Sequence, residues 1–171
     1  MSNDELSDDL ENSKKSMSLI VTKGTLDWGY PPFILATTAS AMGLNVSMFF
    51  TFYGLNLLHK KLDLNVSSIG NPDMKMPMMG THIGLPNMLG MIPGMDGLST
   101  NMMKRLMNKK GIAPLEDLRE AAVESEVQMI ACQMTMDLFE YELTDLIPGP
   151  ELGGAATYIE TAVKSDINLF V

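Results

Sequence analysis

Apolar and polar positions along the chain alternate between short buried runs and helical stripes. SLIVTKG, Ser18 to Gly24, is an apolar run closed by a glycine turn and predicts a buried strand. Tyr30 to Met42 is compatible with a helix, with Pro31 and Pro32 tolerated in its first turn and Gly43 as its stop. NVSMFFTFYG, Asn45 to Gly54, is rich in β-branched and aromatic residues and predicts a second strand, followed by a short helix around Leu55 to Lys61. Asn101 to Lys110 and Leu115 to Ser125 predict helices, the second opened by Pro114 and carrying Leu115, Leu118, Ala122 and Ser125 on one side. VQMIACQ, Val127 to Gln133, is nearly continuous in apolar residues, as a central strand covered on both faces would be. Asp137 and Glu140 have the spacing of an N-cap and its reciprocal acid, so a helix is predicted to open there. Ala155, Tyr158, Ile159, Ala162 and Val163 form an apolar stripe in a helix over Leu152 to Asp166, and Ile167 to Val171 reads as the last strand. Strands alternating with helices imply right-handed crossovers and an α/β sandwich around a mostly parallel sheet of about five strands.

Three stretches depart from this rhythm. Residues 1–16 carry Asp4, Glu5, Asp8, Asp9 and Glu11 with almost nothing to bury, and are expected to form a disordered acidic leader ahead of a single domain over 17–171. Residues 71–100 are dense in methionine, glycine and proline without helical or alternating period, as expected of a lid, an interface or a binding loop. Trp28 to Leu58 has no charged residue or histidine, but prolines, glycines and Asn45 break it into pieces shorter than the roughly 20 residues a bilayer crossing needs, which argues against membrane association.

Charge and cysteine usage narrow the function. A net charge of -9 opposes nucleic acid and anionic membranes as partners. One cysteine cannot close an internal disulfide, and the acidic start is unlike a secretory signal, so a cytoplasmic location is expected. That cysteine, Cys132, stands near the carboxyl end of the predicted central strand, where open parallel sheets bind ligands. Proximity to a helix N-terminus would favour its thiolate, whereas Met129, Ile130 and Ala131 beside it are ordinary core material. Without a CxxC pair, dithiol exchange within one chain is excluded. The remaining uses of a lone thiol are persulfide carriage, a one-cysteine peroxidase, or plain packing in a noncatalytic assembly module.

Lys23 and Asp27 follow the first strand on the same sheet edge; Lys23 would stabilise a thiolate or persulfide and Asp27 would cap the next helix, although a glycine turn with a helix cap accounts for both. His82 lies among methionines of the 71–100 segment, a set that would suit Cu(I) but is also what adaptable packing surfaces use. No metal site or cofactor is called for by the pattern.

From Cys132 to the C-terminus, ACQMTMDLFEYELTDLIPGPELGGAATYIETAVKSDINLFV resembles the end of the DsrE/DsrF-like sulfur-relay proteins, often labelled peroxiredoxin-like. The Cys-x-Met-x-Met-Asp core, which includes Met134, and the GGAATYIE helix carry the likeness. KGTLDWGYPPFILATTASAMGLNVSMFFTFYGLNLL is similar to the opening of the larger members with a methionine-rich insertion, so the resemblance spans Met17 to Val171. It implies a flavodoxin-like fold, homo-oligomerisation, and cytoplasmic sulfur transfer with rhodanese and TusA-type partners. It maps the reactive cysteine onto Cys132 alone.

Overall fold

Five strands, β1 (Ser16–Val21), β2 (Asn45–Phe50), β5 (Gln128–Cys132), β6 (Glu151–Gly153) and β7 (Ile167–Phe170), pair in parallel into one sheet with the spatial order β6-β5-β2-β1-β7. The computed structural model describes residues 14–67, 75–78, 81–84 and 95–171. Along the chain, β1 (Ser16–Val21), α1 (Leu26–Ala41), β2 (Asn45–Phe50) and a 3-10 turn (Phe52–Leu58) come first. A small antiparallel hairpin, β3 (Lys75–Met78) and β4 (Thr81–Gly84), precedes α2 (Met95–Lys109) and α3 (Leu115–Glu124). The chain closes with β5 (Gln128–Cys132), α4 (Gln133–Phe139), β6 (Glu151–Gly153), α5 (Ala155–Ala162) and β7 (Ile167–Phe170). This is the expected α/β architecture, with a flavodoxin-like sandwich of helices about a parallel sheet.

Handedness decides which face each helix covers. From β1 through β2 and β5 to β6 the chain steps in one direction across the sheet, and right-handed crossovers put the connecting helices on one face. The step from β6 back to β7 at the opposite edge reverses direction and sends α5 to the other face. The first face holds the main core, where Leu19, Met48 and Phe50 of the strands meet Phe33 of α1 and Leu55, Leu57 and Leu58 of the 3-10 turn. The second face has a smaller cluster, Phe49, Ile130, Cys132 and Tyr158, beneath a helix of only eight residues. Ile159 and Val163, expected in a buried stripe, are 58% and 77% exposed, because one short helix turns only Tyr158 fully inward.

Several elements differ from the sequence pattern for identifiable reasons. Helix α1 starts at Leu26, four residues before the predicted Tyr30, because the Leu26 amide donates to Asn65 O at 2.8 Å and the Gly29 amide to Thr25 O at 2.9 Å. Pro31 and Pro32 therefore fall in its second turn, where they leave the Asp27 and Trp28 carbonyls without helical donors; packing against β1, β2 and α3 carries the helix through. Strand β6 overlaps the start of the helix predicted over Leu152 to Asp166, and its three residues after Pro148, Gly149 and Pro150 are too few to show a period. The 71–100 segment contains a hairpin and the first turns of α2, so it is not wholly irregular; residues 68–74, 79, 80 and 85–94 lie outside the described residues. Residues 1–13 of the predicted leader lie outside them too. Among the described residues no helix is long and apolar enough to cross a membrane.

The end of β1 and the 3-10 turn are interlocked backbone to backbone. A Cβ on Gly24 would lie 1.9 Å from Tyr53 O, and one on Gly54 would lie 2.2 Å from Val21 O. Gly54 N also donates to Thr22 O at 3.1 Å, and Thr51 N to Val21 O at 3.0 Å. Only glycine permits this approach, which fixes the segment from Thr51 to Tyr53 at the carboxyl edge of the sheet. Gly54→Ala is expected to lower the urea unfolding free energy by about 2 to 3 kcal/mol. Gly154→Ala, where a Cβ meets nothing within 4 Å, is expected to change it by less than about 0.5 kcal/mol.

Candidate functional site

Strand β5 runs straight into α4, and Cys132 occupies both the last strand position and the N-cap of the helix, with φ -66° and ψ 111°. The helix was expected to open at Asp137. Its N-cap is instead Cys132, five residues earlier, and its first helical residue is Gln133; Asp137 sits in its interior and accepts from Gln133 Nε2 at 2.7 Å. Glu140 is the left-handed C-cap, at φ 56°. Glu142 and Asp145 serve a local 3-10 turn, the Glu142 amide donating to Asp145 Oδ2 at 2.9 Å.

Cys132 is only 4% exposed, and on one side it packs with Phe49, Ile130 and Tyr158. Polar groups meet it on the other. Thr135, itself 1% exposed, bonds Thr51 Oγ1 at 3.2 Å and accepts the Phe52 amide at 3.2 Å. Phe52 reaches that bond with φ 46°, a left-handed conformation that a bulky residue adopts at a cost of roughly 1 kcal/mol or more. The thiol makes no conventional side-chain cap bond, as expected of so weak a partner. Its ionisation is nonetheless shifted. Burial pushes the thiol pKa up, but the Thr135 and Thr51 hydroxyls and the Thr135 and Met134 amides favour the thiolate more strongly and leave it below the ordinary value.

The other predicted residues do different work. Lys23 lies over the Trp28 ring, its Nζ 3.2 Å from the centroid, a cation–π contact rather than a bond to the thiolate. Asp27 does not cap α1, since Thr25 is the N-cap. Its carboxylate accepts the Ser67 amide at 2.8 Å and the Ser67 hydroxyl at 2.6 Å, so it ties down the chain leaving the 3-10 turn. Burial opposes that carboxylate's charge, yet the Ser67 hydroxyl and amide hold its pKa below normal. Met134 contributes its amide to the thiol, while its side chain is 66% exposed. His82 pairs with Pro77 through the β3–β4 backbone, and its side chain lies outside the described residues. The sequence reading missed Thr51 and Thr135; a threonine three residues after the cysteine, at the third position of the helix, was the available signal.

On the 3-10 turn and α4, the two elements that meet at this corner, Phe52, Tyr53, Met134 and Leu138 are exposed apolar side chains. The Tyr53 ring stacks on Phe139 at 5.8 Å between centroids, joining the 3-10 turn to α4.

A parallel α/β sheet with one polarised thiol at its carboxyl edge defines a class of single-cysteine α/β proteins. The sequence model of the DsrE/DsrF/DrsH-like family matches residues 13–170, and the chain belongs to that family. It is 52% identical over 158 residues to the sulfur carrier protein DsrE2 of Allochromatium vinosum, covering 92% of this chain and 99% of that one. It is 30% identical over 160 residues to the uncharacterized protein YrkE of Bacillus subtilis, covering 92% and 97%. Among solved structures, the YchN protein of E. coli has the same fold, with a TM-score of 0.50 and 11% identity over 92% of this chain and 99% of that one.

Thr135→Val keeps the shape and removes the hydroxyl. The midpoint of the pH dependence of Cys132 alkylation by iodoacetamide is expected to rise. The folded thiol titrates below the unfolded one, so its contribution to stability grows as pH rises from the lowered folded value toward the unfolded value of about 8.5, and is lost on acidification below the folded value. In Thr135→Val that gain with pH shrinks.

Proposed function

We propose that the protein is a cytoplasmic sulfur carrier in which Cys132 holds sulfane sulfur as a persulfide and delivers it to a partner thiol. The observation that carries this reading is the lowered pKa of a thiol held at a strand-to-helix junction by Thr135, Thr51 and two amides. The name of the DsrE2 relative agrees with it.

The chemistry balances without an oxidant or reductant. The Cys132 thiolate attacks the terminal sulfur of a donor persulfide, the S–S bond of the donor breaks, and the donor leaves as a thiolate. An acceptor thiolate then attacks the outer sulfur of the Cys132 persulfide, and Cys132 leaves with the electron pair. A lowered pKa serves the second step in particular, because a more acidic thiol is the better leaving group. The donors that match are rhodanese-type and low-molecular-weight persulfides, and the acceptors TusA-type thiols. With one cysteine in the chain the sulfur has no second internal thiol to move to, so both transfers are intermolecular.

Phe52, Tyr53, Met134 and Leu138 supply exposed apolar side chains on which a partner would dock as its thiol approaches. The exposed Ile159, Val163 and Phe170 on the thinly covered face support assembly of copies of the chain. A second reading, a noncatalytic assembly module, draws on the 4% exposure of Cys132. Incubation with polysulfide or thiosulfate followed by peptide mass spectrometry separates the two. The carrier predicts a gain of one sulfur, about 32 Da, on the Cys132 peptide, removed by an acceptor thiol and absent in Cys132→Ser. The assembly module predicts no adduct on the native chain with any donor.

A further inference from the structure

A cavity of about 440 Å³ opens at the amino-terminal edge of the sheet, the edge opposite Cys132. Between Gln128 at its wall and Cys132 the strand β5 extends by about 13 Å, so its contents do not touch the thiol. The cavity has the size of a small-molecule site.

Its lining mixes Met17, Leu44 and Val46 with polar side chains, and on the second face of the sheet the row of strand residues that reaches it is polar. In register across the second face, Gln128, Ser47, Ser18 and Asn168 stand side by side on β5, β2, β1 and β7. Ser18 is satisfied by Tyr158 and Asn168. Ser47, only 5% exposed, borders the cavity with its hydroxyl bonded to nothing. A buried hydroxyl without a partner costs about 1 to 3 kcal/mol, so a partner is expected at that point. From above, Thr157, Glu160, Thr161 and Lys164 of the α5 segment line the same space at helical spacing, so the polar stripe of this segment faces the cavity and its apolar residues Ile159 and Val163 face outward.

Charge is distributed across the opening. Lys14 and Lys164 lead into β1 and toward β7 on one side; Glu126 precedes β5 on the other, two strands away or about 10 Å, and Glu160 stands one helical turn before Lys164. Among the described residues the one ion pair is Lys15 with Asp166, at 3.1 Å, so these four charges have no such partner there. Two lysines on one side and Glu126 across the opening match a molecule that carries both signs, separated by several ångströms.

We infer that this cavity binds a small zwitterion of short-peptide type, its carboxylate toward Lys14 and Lys164, its ammonium toward Glu126, and its central polar group on the Ser47 hydroxyl. The inference is independent of the persulfide chemistry at Cys132.

The test is an amide NMR titration of the full chain with triglycine, and in parallel with N-acetyl-triglycinamide and inorganic phosphate, each to about 10 mM, the weak end of small-ligand affinity. Saturable shifts at Ser47, Gln128, Thr161 and Lys164 with triglycine are expected, with affinity reduced about tenfold in Ser47→Ala. Lys164→Glu, an exposed change that leaves the core alone, is expected to weaken binding similarly, and the neutral analogue to bind at least tenfold less well. Equal shifts with the neutral analogue, or with phosphate alone, would overturn the assignment to a zwitterion. So would the absence of saturable shifts, or shifts that follow protein concentration and not peptide, which would give the cavity to a second copy of the chain.

Discussion

The hydroxyl of Thr135 is the point on which the site turns. It accepts the Phe52 amide at 3.2 Å, which occupies one of its lone pairs and leaves its proton to be given away. Thr51 Oγ1, at 3.2 Å, is the other hydroxyl in the pair, and both lie among the groups that favour the Cys132 thiolate. Within a buried corner such hydrogen bonds count for more than they would in water, which is how a sulfur only 4% exposed keeps a pKa below the ordinary value. The corner depends in turn on the close backbone approach of Gly24 and Gly54, because these set where Thr51 and Phe52 stand relative to α4.

Connection handedness gives the molecule two unlike faces. On the first, the crossover helices and the 3-10 turn cover a deep apolar core. On the second, the single reversal from β6 to β7 supplies only α5, too short to cover five strands. That face is correspondingly mixed along the strands: a polar row through Ser18 and Ser47, an apolar row through Ile20, Phe49 and Ile130, then the thiol end. The thiol stands at one edge of this thinly covered face, and the cavity opens at the other.

Much of this was legible in the pattern of residues. Continuous apolar runs located β1, β2 and β5, since strands buried on both faces need hydrocarbon on both. The Cys-x-Met-x-Met-Asp stretch singled out the thiol. What escaped the sequence was long-range or short. Asp27 was legible as an acid near a helix start, but its bond to Ser67, forty residues on, has no local signature. The three residues of β6 show no period, and α4 begins with a cysteine N-cap that lacks the usual Ser, Thr, Asp or Asn signal. Lys23 was expected beside the thiolate on the strength of a shared sheet edge. Trp28, five residues further on, gives its ammonium a closer partner.

Because the chain has one cysteine, the ultraviolet absorbance of the thiolate across pH reports on Cys132 without labelling. The account predicts a midpoint for the native chain clearly below that of the same chain unfolded in denaturant, where an unperturbed thiol titrates near about 8.5. A native midpoint equal to or above the unfolded one would mean that burial outweighs the threonines and amides, and the central claim would be contradicted.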